Sequence, residues 1–135
     1  MRSAVFIKRS EFGLTNIARS SICQDKVTVS SAQVTVTNTV IGNVYFEPGA
    51  RSNWHTHPSG QILIITDGIG YHQIKGQPRQ TIKKGDVVKC PPNVLHWHGA
   101  SPDIGMQQMY ILPKTEKGIV TWLQKVTDEE YNTSK

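Results

Sequence analysis

Apolar residues along this chain recur mainly at every second position. Val27 and Val29, then Val34 and Val36, alternate with Thr, Ser and Gln, the period-2 pattern of half-buried strands. Strand signals return over residues 40–46, 61–66, 71–74, 87–89, 96–98 and 106–112. Turn chemistry separates them: Glu47-Pro48-Gly49, Asp67-Gly68, Lys75 through Pro78, Lys84-Gly85-Asp86, Pro91-Pro92-Asn93, and residues 102–105. No helix of normal length has its apolar stripe before residue 115. Residues 120–126 read as a strand or a short helix, and Thr127 with Glu130 resembles a capping box opening one helical turn. Short strands at near-regular spacing predict one all-β domain over residues 1–135, a sandwich or barrel.

The chain has 135 residues, the size of a single domain. Hydrophobic residues make up 37% and charged residues 19%, a balance that suits a packed core and excludes a disordered chain. Lys plus Arg is 15 and Asp plus Glu is 10, a formal net charge of +5 that permits an acidic partner. The basic residues are scattered, however. The densest group, Lys75, Arg79, Lys83 and Lys84, flanks a predicted turn and reads as a solvated rim, so no nucleic-acid partner is expected. Cys23 and Cys90 allow one disulfide but do not make a disulfide framework. The first thirty residues hold no signal-peptide core, and no apolar run approaches the ~20 residues of a membrane span. A cytoplasmic protein with no membrane partner is expected.

Four of the five histidines fall in two tight clusters. His55-Thr56-His57 is an i, i+2 pair, and on a strand two such side chains leave the same face. His96-Trp97-His98 repeats the arrangement, and Gln61 opens the apolar run that follows the first pair. Imidazole suits first-row transition metals, and two imidazoles on one strand face can share an ion. His72 stands apart and reads as an ordinary strand residue.

The glycine and proline frame around the clusters carries a family resemblance. Gly49, His55, His57, Gln61 and Gly68 form one segment, and Gly85, Pro91, Asn93, His96 and Ala100 the other. Together they resemble the two cupin motifs, over a core of about residues 42–112. That resemblance implies a small jelly-roll barrel (a double-stranded β-helix) whose motifs converge on one metal. Gln61 stands where the family usually has glutamate, Asn93 where it has glycine, and Ala100 where it has asparagine. With Glu47-Pro48-Gly49-Ala50-Arg51 and residues 126–131, these features resemble small bacterial cupins with a three-His, one-Gln site. That group includes manganese-dependent hydroxynitrile lyases and carboxymuconolactone-decarboxylase-associated cupins. Carried over, the ligands are His55, His57, Gln61 and His96.

A glutamine ligand binds through its carbonyl oxygen and removes one negative charge from the site. A divalent ion held by neutral groups keeps its full charge and is the better Lewis acid. The mixed N/O set suits Mn, Fe, Co, Ni or Zn, and the resemblance favours manganese. Strand parity puts Gly42, Val44 and Phe46 on one face. Met106, Gln108, Tyr110 and Leu112 share another, which the resemblance aims inward. Candidate catalytic groups are therefore His98, Gln108 and Tyr110. His98 is either a second functional imidazole or a residue that orients a ligand. In the hydroxynitrile lyases of this group a histidine matches Gln108. The expected function is a metal-dependent lyase or aldol-type enzyme acting on a small carbonyl or cyanohydrin-like substrate. The alternatives are a cupin dioxygenase and a non-catalytic ligand-binding cupin. A homodimer is expected, with a tetramer as the larger option, through exchange of N-terminal strands.

Overall fold

A computed structural model describes residues 38–134 in full. Before them it describes the backbone of β1 (Gly13–Ile17), β2 (Cys23–Gln24) and β3 (Val27–Val34). The predicted strands at Val36 and the side chain of Cys23 lie outside the described residues. Then follow β4 (Thr39–Phe46), β5 (Arg51–Ser52), β6 (His55–Thr56), β7 (Gln61–Ile74), β8 (Gln80–Lys83), β9 (Val87–Cys90), β10 (His96–Ala100), β11 (Met106–Leu112) and β12 (Thr121–Trp122). Among the described residues a 3-10 turn at Thr115–Lys117 precedes β12, and one short α-helix, α1 (Asp128–Asn132), follows it. The hydrogen-bonded order is β1-β3-β4-β11-β7-β10-β5-β2, and every strand pairing among the described residues is antiparallel. This is the all-β architecture that the alternating pattern predicts.

The largest departure lies in β7. The sequence reading places a turn at Asp67-Gly68, but the chain runs straight through as one 14-residue strand. The first half of β7 pairs with β9 and β11, the second half with β8 and β10, so one strand belongs to both walls. Against β11 the register runs Gln107↔Asp67, then Gln108↔Ile65, which leaves Thr66 unopposed in a bulge. Gly68 follows with φ +76, and a Cβ there would stand 1.8 Å from the Gly105 carbonyl oxygen. Glycine marks a bend and a close backbone approach here, not a chain reversal.

The bulge also resets which side chains face inward. Gln61, Leu63 and Ile65 are buried ahead of it, and Gly70 and His72 are buried beyond it. Val44, Phe46, Leu63, Ile65, Ile82 and Met106 form the apolar core between the walls.

A second cluster, Trp54, Trp97, Val126 and Tyr131, packs on the outer face of β10 beneath the C-terminal segment. The capping box opens α1 as expected: Thr127 Oγ1 accepts from the Glu130 N–H, and Glu130 accepts from the Thr127 N–H. Arg51 donates to the Val126 carbonyl and lies over the Tyr131 ring, 4.5 Å from its centroid. The basic group read as a solvated rim is divided. Lys75 pairs with Glu130 at 2.8 Å and covers Trp54, while Arg79 stacks on Tyr71 and donates to the Tyr131 carbonyl. Burial alone would raise the Glu130 pKa, but hydrogen bonds from Lys75, the Thr127 backbone and Trp54 outweigh it and hold it at about 2. These cations fasten the tail. Between 120 and 126 the chain is extended, with β12 alone as strand. Among the described residues, no helix is long and apolar enough to cross a membrane.

Candidate metal centre

The inner face of β10 carries the centre of the site. His96 lies directly opposite His55 of β6, with ring centroids 4.3 Å apart. His98 lies two residues on, its ring 5.1 Å from that of His55. Ligand nitrogens of His55, His96 and His98 all fall within 4.8 Å of one another. His57 stands just beyond the end of β6, its ring 5.0 Å from His55 and 5.6 Å from His96. The i, i+2 pair thus converges although only its first member is on a strand.

Three of these imidazoles are held in one tautomer. Backbone carbonyls of Asn53, Ile119 and Val94 lie 2.8, 2.6 and 3.0 Å from Nδ1 of His55, His57 and His96. A carbonyl can only accept, so each Nδ1 carries the proton and each Nε2 presents a bare lone pair. Burial pushes the pKa of all three down, to about 4 for His96; for His55 burial acts first and the His96 charge second. At neutral pH the rings are uncharged, as ligands must be.

Gln61 then makes the case for a cation. Its Oε1 lies 3.2 Å from His96 Nε2, and the neutral ring has already given its only proton to Nδ1. Two acceptors face each other with no hydrogen between them. The Nε2 of His57 is buried with no hydrogen-bond partner among the described residues. A divalent ion satisfies both conditions at once, and the three-nitrogen, one-oxygen set fits a first-row metal.

His98 and Gln108 complete the inner surface. The Gln108 amide nitrogen lies 3.0 Å from His98 Nδ1, and the Phe46 ring meets His98 edge-on at 5.7 Å. Both residues are buried. Tyr110, the third candidate catalytic group, is half-buried against the apolar core.

His72 corrects the sequence reading. It is buried, its Nε2 lies 3.2 Å from Cys90 Sγ, and its ring is 5.7 Å from that of His96. Burial lowers its pKa to about 4 and raises that of Cys90, a free thiol, to about 12. The signal that hid it was the supposed turn before it. Trp122, also unanticipated, lies 4.7 Å from His55 and covers that side of the cluster.

An antiparallel barrel with convergent imidazoles on its inner strands defines a small β-barrel protein with a candidate metal site. Residues 42–103 match the family described as Cupin domain. The (R)-mandelonitrile lyase of Granulicella tundricola is 47% identical over 89 residues, 66% of this chain and 68% of that protein. The crystal structure of a cupin-like protein from Thermotoga maritima superposes with a TM-score of 0.83 at 42% identity, covering 97% of both chains. An acireductone dioxygenase of Schizosaccharomyces pombe is 27% identical over 85 residues, 60% of this chain and 48% of that protein. The chain belongs to the cupin family.

Proposed function

We propose that this cupin is a divalent-metal-dependent lyase or aldol-type enzyme, acting on a small carbonyl or cyanohydrin-like compound inside the barrel. The observation that carries the reading is the set of bare Nε2 lone pairs on His55, His57 and His96, with the Gln61 oxygen 3.2 Å from that of His96. Its similarity to a mandelonitrile lyase supports the substrate class.

In this reading His55, His57, Gln61 and His96 hold the ion, and manganese is the metal proposed. When bound, the ion supplies Lewis acidity for charge developing on a substrate oxygen. The Gln61 amide leaves the ion's charge intact where a carboxylate would reduce it. Val44 and Phe46 offer an apolar wall to the body of the substrate. His98 and Gln108 are the buried polar groups beside it, and burial keeps water from competing for their hydrogen bonds.

The test uses protein purified without a metal-affinity tag, with metal content measured in parallel. Cyanide release from an aromatic cyanohydrin, dependent on the metal and lost in His96→Ala, is the expected result. Dioxygen consumption with no cyanide release would replace this reading with an oxygenase. Metal binding with neither activity would leave a ligand-binding cupin.

A further inference from the structure

His98 differs from the three imidazoles beside it in the polarity of its Nδ1 contact. Theirs face carbonyl oxygens, which only accept. The Nδ1 of His98 faces the amide nitrogen of Gln108 at 3.0 Å, and an amide NH2 only donates. A neutral imidazole has one proton, so accepting at Nδ1 places that proton on Nε2. Position alone would make His98 a ligand, since it groups with His55 and His96 within 4.8 Å. A protonated Nε2 has no lone pair to give a metal.

We propose that Gln108 is a positioning residue that holds His98 as an Nε2–H donor, outside the metal's ligand set and aimed at substrate. The His98 Nε2 is buried and has no hydrogen-bond partner among the described residues. A donor in that state calls for an acceptor from outside the protein. Phe46 fixes the ring from its edge, and Ser52 Oγ takes the His98 backbone N–H at 3.2 Å, so the imidazole has little freedom to turn away. The group recognised is therefore a hydrogen-bond acceptor: a carbonyl, carboxylate or nitrile. The same arrangement leaves His98 unable to accept a hydroxyl proton at Nε2 in its resting state. Residue 108 thereby decides whether this barrel offers its substrate a donor or a base.

The inference deepens the proposed function and rests on it for the role in binding substrate, but the proton itself is read without any substrate. Protein labelled with 15N-histidine is examined by NMR metal-free and after loading with zinc, which is diamagnetic. Ring nitrogen shifts and two-bond couplings distinguish N–H, bare and metal-bound nitrogens, with His98→Asn used for assignment. The expected result is Nε2–H at His98 and Nδ1–H at His55, His57 and His96, with zinc moving Nε2 of those three only. Gln108→Met, close in volume but without the donor, should release His98 to the Nδ1–H form or to zinc. A proton on His98 Nδ1 in the unmodified protein would show that the amide presents its oxygen, and overturns the proposal. Zinc on His98 Nε2 in that protein, or an unchanged His98 in Gln108→Met, does so too. Failure of the cyanohydrin assay alone would bear only on the lyase reading.

Discussion

His72 of β7 sits directly opposite His98 of β10. Paired residues project from the same side of a sheet, so both imidazoles enter the barrel from adjacent strands. Every histidine of the chain therefore lies in or against one site, with His72 packed against the proposed ligand His96 and His98 beside the ligands on the inner surface.

Replacing Gln108 by histidine should supply the base that the present site lacks. We expect Gln108→His to raise cyanohydrin cleavage by ~10²-fold or more, the range of general-base assistance. Metal content should not change, because Gln108 reaches only His98 among the imidazoles whose contacts are described. Cyanide release with parallel elemental analysis checks it. No gain in fully loaded protein would remove the lyase reading.

Gln61→Glu should keep the metal and slow the chemistry. A carboxylate binds a divalent cation at least as well as an amide, while lowering the net charge that polarises a substrate oxygen. Occupancy near that of the unmodified protein with reduced turnover is the expected pair of results. Equal turnover would show that the charge of the centre is not used.

Acid should destabilise the metal-free protein through its histidines. His72 and His96 have folded-state values near 4 against 6.5 for the free side chain, in both cases through burial first. Between pH 6.5 and 4 the unfolded chain takes up protons that the folded chain refuses. Stability is therefore full above 6.5 and falls as pH drops toward 4, by on the order of 3 kcal/mol for each such histidine. Denaturant melts at pH 7.5, 6, 5 and 4 should show a falling midpoint, and a flat profile would contradict the burial.

The bulge in β7 predicts a sharp contrast between two glycines. Gly68 and Gly76 both have positive φ, but a Cβ at Gly68 meets the Gly105 carbonyl while one at Gly76 meets nothing within 4 Å. Gly76→Ala should cost ~1 kcal/mol, the left-handed penalty alone. Gly68→Ala should cost ~3 kcal/mol or more, since strain and a backbone clash add. Equilibrium unfolding of the two variants decides it.

The strand order ends on β1, which pairs with β3 on one side and with no other described strand. An open edge of this kind is commonly closed by a second copy. We propose a homodimer through that edge, with a tetramer as the next assembly. Light scattering coupled to size exclusion should return twice the mass of the chain, and a monomer would refute it.

Alternation of Val, Ile and Thr with polar residues determined the strand-rich fold, because strand side chains face opposite sides in a period that sequence displays directly. The same parity grouped Val44 with Phe46 and Met106 with Gln108, a face that the family resemblance aimed inward, and Thr127 with Glu130 capped α1, since these pairings are local relations. The clustered histidines and their frame were legible for the same reason: His55 with His57, and His96 with His98, are neighbours in the chain. His72 was not legible. Its inward direction depends on Thr66, one unopposed residue whose bulge reverses the parity of everything after it, and a bulge is defined by the partner strand. Of the backbone carbonyls that set the tautomers, those of Asn53 and Val94 come from two residues before their histidines, whereas Ile119 reaches His57 from 62 residues along the chain, a contact the sequence does not display. Nor does it display the amide–imidazole pair of Gln108 and His98. Which ring nitrogen keeps its proton is decided by what folding places beside it, and only the tertiary structure could say.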